Sequence, residues 1–357
     1  MGTFLSVCVN PTLQKTLCFD RVVFGEVNRT ALHRLDTAGK GLNVARVLSQ
    51  AGKKAVHLTH LGGSLRQLFI ALCERDNLDL RWVESGSAIR FCYTLITGAS
   101  EGAAGDGCAD GGVGGEDGDA AGCADGGMAG GHAGSRTVTE LVEEGEPVAP
   151  GTEERLLAAY TELLASAGTV IVCGTKARGY SGALVPAMVR MAREQGKRVI
   201  LDIRGKDLRN SLPYRPDVIK PNLFEFAGTF AEELAACAAS AGVKPPDYSG
   251  MGELSGDEPG VRANITAYAR ELAARYNTAV VLTRGKRPVW FTDGDGLGEC
   301  PVGAAPVVNT VGSGDAFTAG LAAALDDGLP LAEAVANGAR FGGLNAGLLR
   351  PGVIRED

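Results

Sequence analysis

Residues 309–317 read Asn-Thr-Val-Gly-Ser-Gly-Asp-Ala-Phe and predict a glycine turn between an apolar run at 305–308 and a helix. Gly312 and Gly314 permit a tight turn whose bare N–H groups approach a ligand closely. These N–H groups lie at a helix N-terminus and favour negative charge, so the turn fits a phosphoryl group in transfer. Asp315 at its rim can accept a proton from an attacking hydroxyl. An ordinary turn with an Asp N-cap explains the same residues.

Strands and helices alternate on both sides of this turn. The predicted strands cover 4–9, 55–61, 169–173, 198–203, 217–220 and 279–283. The predicted helices cover 43–51, 65–73, 153–167, 181–195, 265–276, 315–325 and 331–348. This alternation predicts an α/β fold with a mostly parallel sheet and helices on both faces. In such sheets ligands bind beyond the carboxyl ends of the strands, where the candidate motifs fall.

Two segments break the alternation. Residues 12–35 and 89–142 contain strand patterns with no helix between them. Within the second segment, 89–97 and 137–142 are predicted to pair as a hairpin. We therefore expect a small separate β-sheet that covers the main domain as a lid, with strands inside 10–37 and 87–145.

Two inserts interrupt this arrangement. Residues 98–136 are mostly Gly, Ala and Asp, with almost no apolar side chain to bury, so we expect this Gly/Ala/Asp-rich insert to be disordered. Residues 242–260 are predicted to be an irregular loop. The first insert holds seven acidic residues and one basic residue, which accounts for most of the net charge of −7. No basic face remains, so a nucleic-acid partner is not expected.

The composition describes a water-soluble globular protein. The chain has 357 residues, of which 45% are hydrophobic and 22% charged, and its first residues lack a signal-peptide pattern. No apolar run approaches membrane-spanning length, so a membrane partner is not expected either. The nine cysteines are scattered without CxxC pairs, which favours a reducing, cytoplasmic location over a disulfide framework or a zinc site.

Four motifs stand in order along this framework. They are 9–16 (VNPTLQKT), 38–46 (AGKGLNVAR), 220–225 (KPNLFE) and 309–315 (NTVGSGD). With them, the whole chain apart from the inserts resembles the PfkB (ribokinase-like) carbohydrate kinases, in particular the branch of 1-phosphofructokinase and tagatose-6-phosphate kinase. The resemblance implies one kinase domain over 1–357, with ATP and Mg²⁺ as cofactors and a hexose phosphate as substrate. Lid sheets of this family often pair, so a homodimer through the lid is expected.

The resemblance also implies roles for individual residues. The catalytic set is Asp315 as base, with the amides of Gly312, Ser313 and Gly314 as an anion hole. The substrate-binding set is Gln14, Gly39, Lys40, Gly41, Asn43, Arg90 and Lys176, and Arg29 could reach a phosphate across a dimer. The nucleotide-binding set is Asn222, Thr283, Gly285 and Asn345, and the metal set is Glu225 with Asn222. Taken alone, several have plainer explanations: Asn43 and Asn222 as helix caps, and Lys40 and Arg90 as solvated charges.

Two departures from the family pattern bear on the substrate. Gln14 occupies the position of an early substrate-binding Asp, and a Gln carries no charge. Lys176 and Arg178 replace an uncharged Ser-Leu-Pro stretch after the strand at 169–173, so either could contact a phosphate. Rival interpretations are therefore a kinase of an unphosphorylated sugar or nucleoside, and a sugar-binding regulator without catalysis. A dinucleotide oxidoreductase is disfavoured because no GxGxxG follows the first strand.

Overall fold

A computed structural model describes residues 2–98, 136–240, 259–294, 296–304 and 306–356. The insert predicted to be disordered at 98–136 lies outside these residues, except for its two end residues. Most of the loop predicted at 242–260 lies outside them too. Its last two residues, Pro259 and Gly260, begin a helix, so that loop was predicted two residues too long.

The described residues form thirteen strands and ten α-helices. The strands are β1 Thr3–Val7, β2 Thr12–Phe19, β3 His33–Ala38, β4 Ala55–Leu61, β5 Asp79–Glu84, β6 Arg90–Thr97, β7 Thr137–Val142, β8 Ala167–Cys173, β9 Arg198–Asp202, β10 Val218–Ile219, β11 Ala279–Arg284, β12 Arg287–Thr292 and β13 Gly298–Cys300. The helices are α1 Lys40–Gln50, α2 Arg66–Arg75, α3 Thr152–Leu164, α4 Leu184–Glu194, α5 Gly205–Ser211, α6 Leu223–Thr229, α7 Ala231–Ser240, α8 Pro259–Tyr276, α9 Ser313–Asp326 and α10 Leu331–Ala346. None of these helices has both the length and the apolar character needed to span a lipid bilayer.

Nine strands form the main sheet, in the order β13-β12-β11-β10-β9-β8-β1-β4-β5. All neighbours from β11 to β5 pair in parallel, and β12 and β13 are antiparallel at one edge. The winding direction reverses at β1, because β4 pairs with it on one side and β8 on the other. The predicted mostly parallel α/β sheet is confirmed, and its reversal point at the carboxyl ends of the strands is where ligands bind in such folds. The antiparallel edge was not predicted.

Helices cover both faces of this sheet. Neighbouring residues of β1 point to opposite faces, so Phe4 packs in a core with α1, α9 and α10, whereas Leu5 packs in a core with α3, α4 and α8. Burial on both faces explains why the central strands read as continuous apolar runs in the sequence. The two cores hold the carboxyl ends of the strands in fixed positions.

The lid is a separate four-stranded sheet, in the order β3-β2-β6-β7. β6 and β7 are antiparallel, as the predicted hairpin requires, and β2 lies parallel to β6. An apolar cluster joins the base of the lid to the body, with Leu13 of β2 packed among Leu42, Leu61 and Ile89. The far strand, β7, is exposed along most of its length. The lid is thus anchored at one side and open at the other.

Candidate active site

The glycine turn that precedes α9 is built from its own side chains and from a distant turn. Gly312 is the N-cap of α9 and has φ +84°, a conformation that favours glycine. A Cβ there would lie 2.5 Å from the backbone nitrogen of Gly352. Asn309 is fully buried; its Oδ1 accepts from the N–H of Val311 at 3.0 Å, and its Nδ2 donates to the carbonyl of Leu349 at 2.9 Å. The shape of the turn is therefore fixed before any ligand arrives.

Three N–H groups of this turn are available to a ligand. Among the described residues, the N–H groups of Gly312, Gly314 and Asp315 have no hydrogen-bond acceptor. The N–H of Ser313, which was predicted to join the anion hole, instead donates to the carbonyl of Thr310 at 3.2 Å. The available N–H groups start a fourteen-residue helix, where backbone donors and the helix dipole favour an anion.

Asp315 lies in the first turn of α9 and is 6% exposed. Its Oδ2 accepts a hydrogen bond from Nδ2 of Asn43 at 2.8 Å. Burial raises the pKa of Asp315 to about 7; nearby Asp202 adds to the rise, while Lys40, the Asn43 hydrogen bond and Lys220 oppose it. The N–H groups of Gly312, Gly314 and Asp315 are called the nest below. A carboxyl with a pKa near neutral, beside this nest, suits a general base that works at neutral pH.

A buried ion pair lies beneath the nest. Asp202 ends β9, and its Oδ2 is 3.1 Å from Nζ of Lys220, which follows β10; both residues are 2% exposed. Burial acts to raise the pKa of Asp202, but the ammonium groups of Lys220 and Lys40 outweigh it and hold that pKa below its ordinary value. Thr318 of α9 donates to Oδ2 of Asp202 at 2.9 Å. The pair therefore ties the sheet to the helix that carries Asp315.

Lys40 bridges the acidic groups at the mouth of the site. Its Nζ lies 3.7 Å from Oδ1 of Asp202 and 3.5 Å from Oε1 of Glu225. The carboxylate of Asp202 and, to a smaller extent, that of Glu225 raise the pKa of Lys40 above its ordinary value, although burial acts to lower it. The side chain is 41% exposed, so the ammonium faces the cleft as a permanent positive charge.

The two glycines before Asn43, Gly39 and Gly41, have different structural roles. Gly39 caps α1 with φ +117° and lies at the cleft. Gly41 is buried, and a Cβ there would lie 2.8 Å from Cβ of Cys8 and 3.0 Å from Oγ of Ser6. Close packing of α1 on β1 therefore accounts for Gly41, and its approach to a sugar stays a prediction.

Asn222 and Glu225 form a capping box at the start of α6. Oδ1 of Asn222 accepts from the N–H of Glu225 at 2.7 Å, and Oε2 of Glu225 accepts from the N–H of Asn222 at 3.0 Å. Asn222 also forms a parallel bridge with Thr283 at the end of β11, and Gly285 lies in the next turn with φ +61°. Three residues predicted to contact the nucleotide therefore lie along one edge of the sheet.

A cation site in this region would depend on the nucleotide. In the part of the chain that the structure describes, no three His, Cys, Asp or Glu side chains converge on one point. One carboxylate, Glu225, stands at the cleft beside Lys40. This donor set fits Mg²⁺, which retains several waters and is held by substrate phosphates together with one or two carboxylates.

Asn345 has no exposed surface. Its Nδ2 donates to the carbonyls of Arg350 and Val353 at 3.3 and 3.0 Å, and its Oδ1 accepts from Oγ of Ser313 at 3.3 Å. These contacts hold the turn at 350–353 against the nest. The contacts made by Asn345 are structural, whereas the sequence predicted a contact with adenine.

The turn at 350–353 also touches the substrate side. Gly352 has φ +67°, and a Cβ there would lie 2.5 Å from Cβ of Asn43. The same residue closes on Gly312 from the other side. This turn therefore fills the space between the glycine turn and α1, and it fixes their separation.

Arg90 begins β6 at the seam between lid and body. Its Nη1 donates to the carbonyl of Glu143 at 3.1 Å. Its Nε is buried and has no acceptor among the described residues. Arg90 lines a small cavity with Asn10, His60 and Gly145. A buried guanidinium N–H without a partner is costly, so Arg90 gains from an added acceptor, while Glu146 places a carboxyl group in the lining of the same cavity.

Gln14 lies in the lid and is buried. Its Nε2 donates to Oγ1 of Thr94 at 2.5 Å, so its amide is engaged within the lid sheet. Thr94 in turn pairs with Glu140 of β7 in the antiparallel register. Burial raises the pKa of Glu140, and the charge of Lys40 acts against that rise. The lid thus carries a carboxylate within electrostatic reach of Lys40, which the sequence analysis did not identify.

The two cations after β8 make contacts inside the protein. Lys176 pairs with Asp207 of α5, and both side chains are mostly buried. Arg178 donates from Nε and Nη2 to the carbonyl of Gly145 at 3.3 and 3.0 Å. Arg178 therefore holds the segment that leaves the lid. Arg29, also suggested for a phosphate, is exposed between β2 and β3.

Asp202 and Lys220 are the important site residues that the sequence analysis missed. Lys220 was quoted within a motif, and Asp202 within a predicted strand, but neither was assigned a role. The available signal was a charged residue at the end of each of two apolar strands. A charge at the carboxyl end of a buried parallel strand points to the ligand-binding edge of the sheet.

Comparisons with known proteins agree with this geometry. Residues 133–348 match the model of the pfkB family carbohydrate kinases. A 1-phosphofructokinase from Rhodobacter capsulatus is 26% identical over 329 residues, which cover 92% of this chain and 85% of that protein. The crystal structure of Escherichia coli phosphofructokinase-2 in complex with potassium has a TM-score of 0.71 at 17% identity, covering 98% and 94% of the two chains.

A plant structure shares the same fold. Arabidopsis thaliana ribokinase, complexed with ribose and ATP, has a TM-score of 0.62 at 16% identity and covers 98% of this chain and 94% of its own. At these identities the two structures show the fold, which is ribokinase-like with a small second sheet.

Proposed function

Because this chain belongs to the pfkB family of carbohydrate kinases, we propose that it transfers the γ-phosphoryl group of ATP to a hydroxyl of a hexose phosphate. The substrate would be of the fructose 1-phosphate, fructose 6-phosphate or tagatose 6-phosphate type. The observation that carries the proposal is the buried Asp315, with a pKa of about 7, beside three available N–H groups. In-line phosphoryl transfer requires a base for the attacking hydroxyl and, beside it, donors that stabilise negative charge.

Asp315 acts as the general base. Its carboxylate accepts the proton of the attacking hydroxyl, and the Asn43 amide holds the carboxylate in place at 2.8 Å. The N–H groups of Gly312, Gly314 and Asp315 stabilise the negative charge on the transferring group. Lys40 presents its ammonium to the same phosphoryl oxygens, because Asp202 and Glu225 keep it charged.

Arg90 binds the phosphate that the substrate already carries. Its buried Nε, which has no acceptor among the described residues, gains one from the phosphate, and a guanidinium binds a phosphate through paired hydrogen bonds. Asn43 and Gly39 contact the sugar on the body side of the cleft. Gln14 contributes through the lid sheet, where it supports Thr94.

Thr283, Gly285 and the start of α6 border the nucleotide site. Glu225 and Asn222 would hold Mg²⁺ through water, while the metal's other ligands would be phosphate oxygens. When bound, Mg²⁺ neutralises charge on the ATP phosphates. Glu225→Gln is expected to raise the Mg²⁺ concentration needed for half-maximal turnover, and an unchanged Mg²⁺ dependence would remove Glu225 from the metal set.

The lid and the cysteine pattern support two further proposals. A second copy of the chain would pair through the lid, where Phe24 and Val27 are exposed. The cytoplasmic location predicted from the scattered cysteines stays a prediction, which fractionation of the source cells would test.

The deciding experiment measures ADP release from ATP and Mg²⁺ with a panel of acceptors. The panel contains fructose 1-phosphate, fructose 6-phosphate, tagatose 6-phosphate, the free sugars and nucleosides. We expect turnover with one phosphorylated hexose and at least about a hundredfold loss in Asp315→Asn, because a positioned base contributes about 10²–10⁴-fold. Turnover above a hundredth in Asp315→Asn would contradict the base. Turnover only with neutral acceptors, or with none while ATP binds, would favour the rival functions.

A further inference from the structure

We propose that Arg46 is a positioning residue: it holds the Asn43 amide so that its N–H faces Asp315, and it is itself held by Asp76 and Thr37. The inference rests on the proposed function, because it concerns the carboxylate proposed as the base. It adds a role for a charged cluster that lies behind the cleft and touches no substrate.

The orientation of the Asn43 amide depends on Arg46. Nη1 of Arg46 donates to Oδ1 of Asn43 at 2.9 Å, and Nδ2 of Asn43 donates to Asp315 at 2.8 Å. A guanidinium can only donate, so the amide oxygen must face Arg46 and the amide nitrogen must face the carboxylate. Without Arg46 the amide could rotate, and its oxygen would then repel the Asp315 carboxylate.

Arg46 is locked in this position by its other contacts. It is 3% exposed, and its Nη2 donates to the carbonyl and the hydroxyl of Thr37 at 2.8 and 3.1 Å. Its Nε lies 3.3 Å from Oδ2 of Asp76, which follows α2. All three guanidinium nitrogens therefore have defined acceptors.

The cluster spans four parts of the fold and contains more arginines than carboxylates. Arg350 contacts Asp76 through Nη2, and its Nε lies 3.1 Å from Oδ1 of Asp36. Two buried carboxylates, Asp36 and Asp76, thus face two mostly buried guanidinium groups, Arg46 and Arg350. The same carboxylates also pair with two more exposed arginines, Arg34 and Arg75. Asp36 lies on lid strand β3, and Arg350 lies in the turn that packs on Gly312. A buried ionic group of this kind adds little stability and is best attested as a device that sets geometry.

Asp315 is faced by charged or titratable groups from five other elements. They are Lys40 of α1, Asp202 of β9, Lys220 after β10, and the thiols of Cys8 and Cys173 at the ends of β1 and β8. Arg46 faces Asn43 and not Asp315, so its effect on the carboxylate passes through the amide. The Asn43 hydrogen bond lowers the pKa of Asp315, so its loss raises that pKa further above about 7.

The test is Arg46→Lys, which keeps the charge opposite Asp76 but cannot supply the same fork of donors. Since the base must be ionised, kcat rises with pH through the pKa of Asp315. We expect this limb to move up by about one pH unit, a tenfold change in the ionisation equilibrium. The KM for ATP should change less than about twofold, since the nucleotide edge is untouched. Carbon-13 NMR titration of the Asp315 carboxyl, assigned with Asp315→Asn, should move in parallel without any substrate present.

The matched control is Lys53→Met. Lys53 pairs with Asp326 at 3.1 Å and thus also joins the α1 region to α9, but it does not contact Asn43. We expect it to lower the melting temperature and leave the pH limb and the NMR titration unchanged. An unshifted Asp315 titration in folded Arg46→Lys, or an equal shift in Lys53→Met, would overturn the inference. Retained turnover in Asp315→Asn would instead overturn the base assignment, while the NMR titration would still report on Arg46.

Discussion

The nest and the lid differ in how their buried charged side chains are paired. Around the nest, Asp202 and Lys220 are buried and paired with each other, and Asp315 is held by Asn43. In the lid, Arg90 has a buried Nε without an acceptor among the described residues. Helices pack on both faces of the main sheet, whereas the lid sheet has an exposed outer strand, β7.

This difference separates two tasks. Groups that stabilise a transition state work best when they are fixed in advance, because they need no reorganisation during the reaction. Groups that select a substrate can remain incompletely satisfied until the substrate arrives. The body is therefore expected to govern kcat, and the lid to govern the KM for the sugar. Substitutions in the two regions test this division, and they are expected to differ in the size of their effects.

Gly312→Ala should have the largest effect. The new Cβ would require a left-handed residue and would lie 2.5 Å from the nitrogen of Gly352, so the nest must change shape. We expect kcat to fall by about 10²–10³-fold, the usual consequence of losing a donor to the transition state, with a KM for the sugar within about threefold. Steady-state kinetics with both substrates varied would measure this.

Gly328→Ala is the control for that change. Gly328 lies at the opposite end of α9, also has a positive φ of +80°, and has open space around its Cβ position. It shares the backbone strain but not the collision, so it should lower the melting temperature and spare kcat. Equal kcat losses in the two variants would show that the nest depends on helix stability and not on its own shape.

Arg90→Met tests the lid, and its effect should be smaller. Removing a charge-assisted contact to a phosphate costs about 1.5–3 kcal/mol, so the KM for the phosphorylated sugar should rise by about tenfold to a hundredfold. The kcat at saturation should stay within about threefold. Arg81→Met, in an exposed pair with Asp79 at the sheet edge, is the control and should leave both constants unchanged. A loss confined to kcat would break the division between lid and body.

The smallest effect on turnover is expected from the segment of the lid that joins β2 and β3. Phe24 is 95% exposed and Val27 is 74% exposed, which is unusual for apolar side chains unless they meet a partner. Changing both to Ser should weaken a homodimer, seen by analytical ultracentrifugation, and alter kcat by less than about twofold. Leu329→Ser, also exposed but on the body, is the control. A wild-type chain that sediments as a monomer at micromolar concentration would refute pairing through the lid.

The central sheet could be predicted because strands buried on both faces read as apolar runs. β5 and β12 could not, since Asp79–Glu84 and Arg287–Thr292 carry charged or Pro residues suited to positions near the sheet edges. Local motifs located Asp315 and Asn43, because the chemistry of a glycine turn is contained in a few consecutive residues.

Long-range partners were beyond the sequence. Asp202 and Lys220 meet because β9 and β10 are neighbours, and a sequence does not state the order of its strands. The Ser313 N–H bonds the carbonyl of Thr310 and the Gln14 amide bonds Thr94, and both contacts exist only once the turn and the lid sheet have folded. The packing role of Gly41 could not be predicted either, because its nearest neighbour, Cys8, is distant in the chain.

The turn at 350–353 has a consequence for how the enzyme is made. A ribosome synthesises Asn43 about 300 residues before Gly352, which at about 5–20 residues per second is an interval of roughly 15–60 seconds. Until that turn emerges, the contacts of Gly352 that help to set the separation of the glycine turn and α1 are missing. A nascent chain therefore carries every residue of the nest before the last segment that shapes the nest has been made.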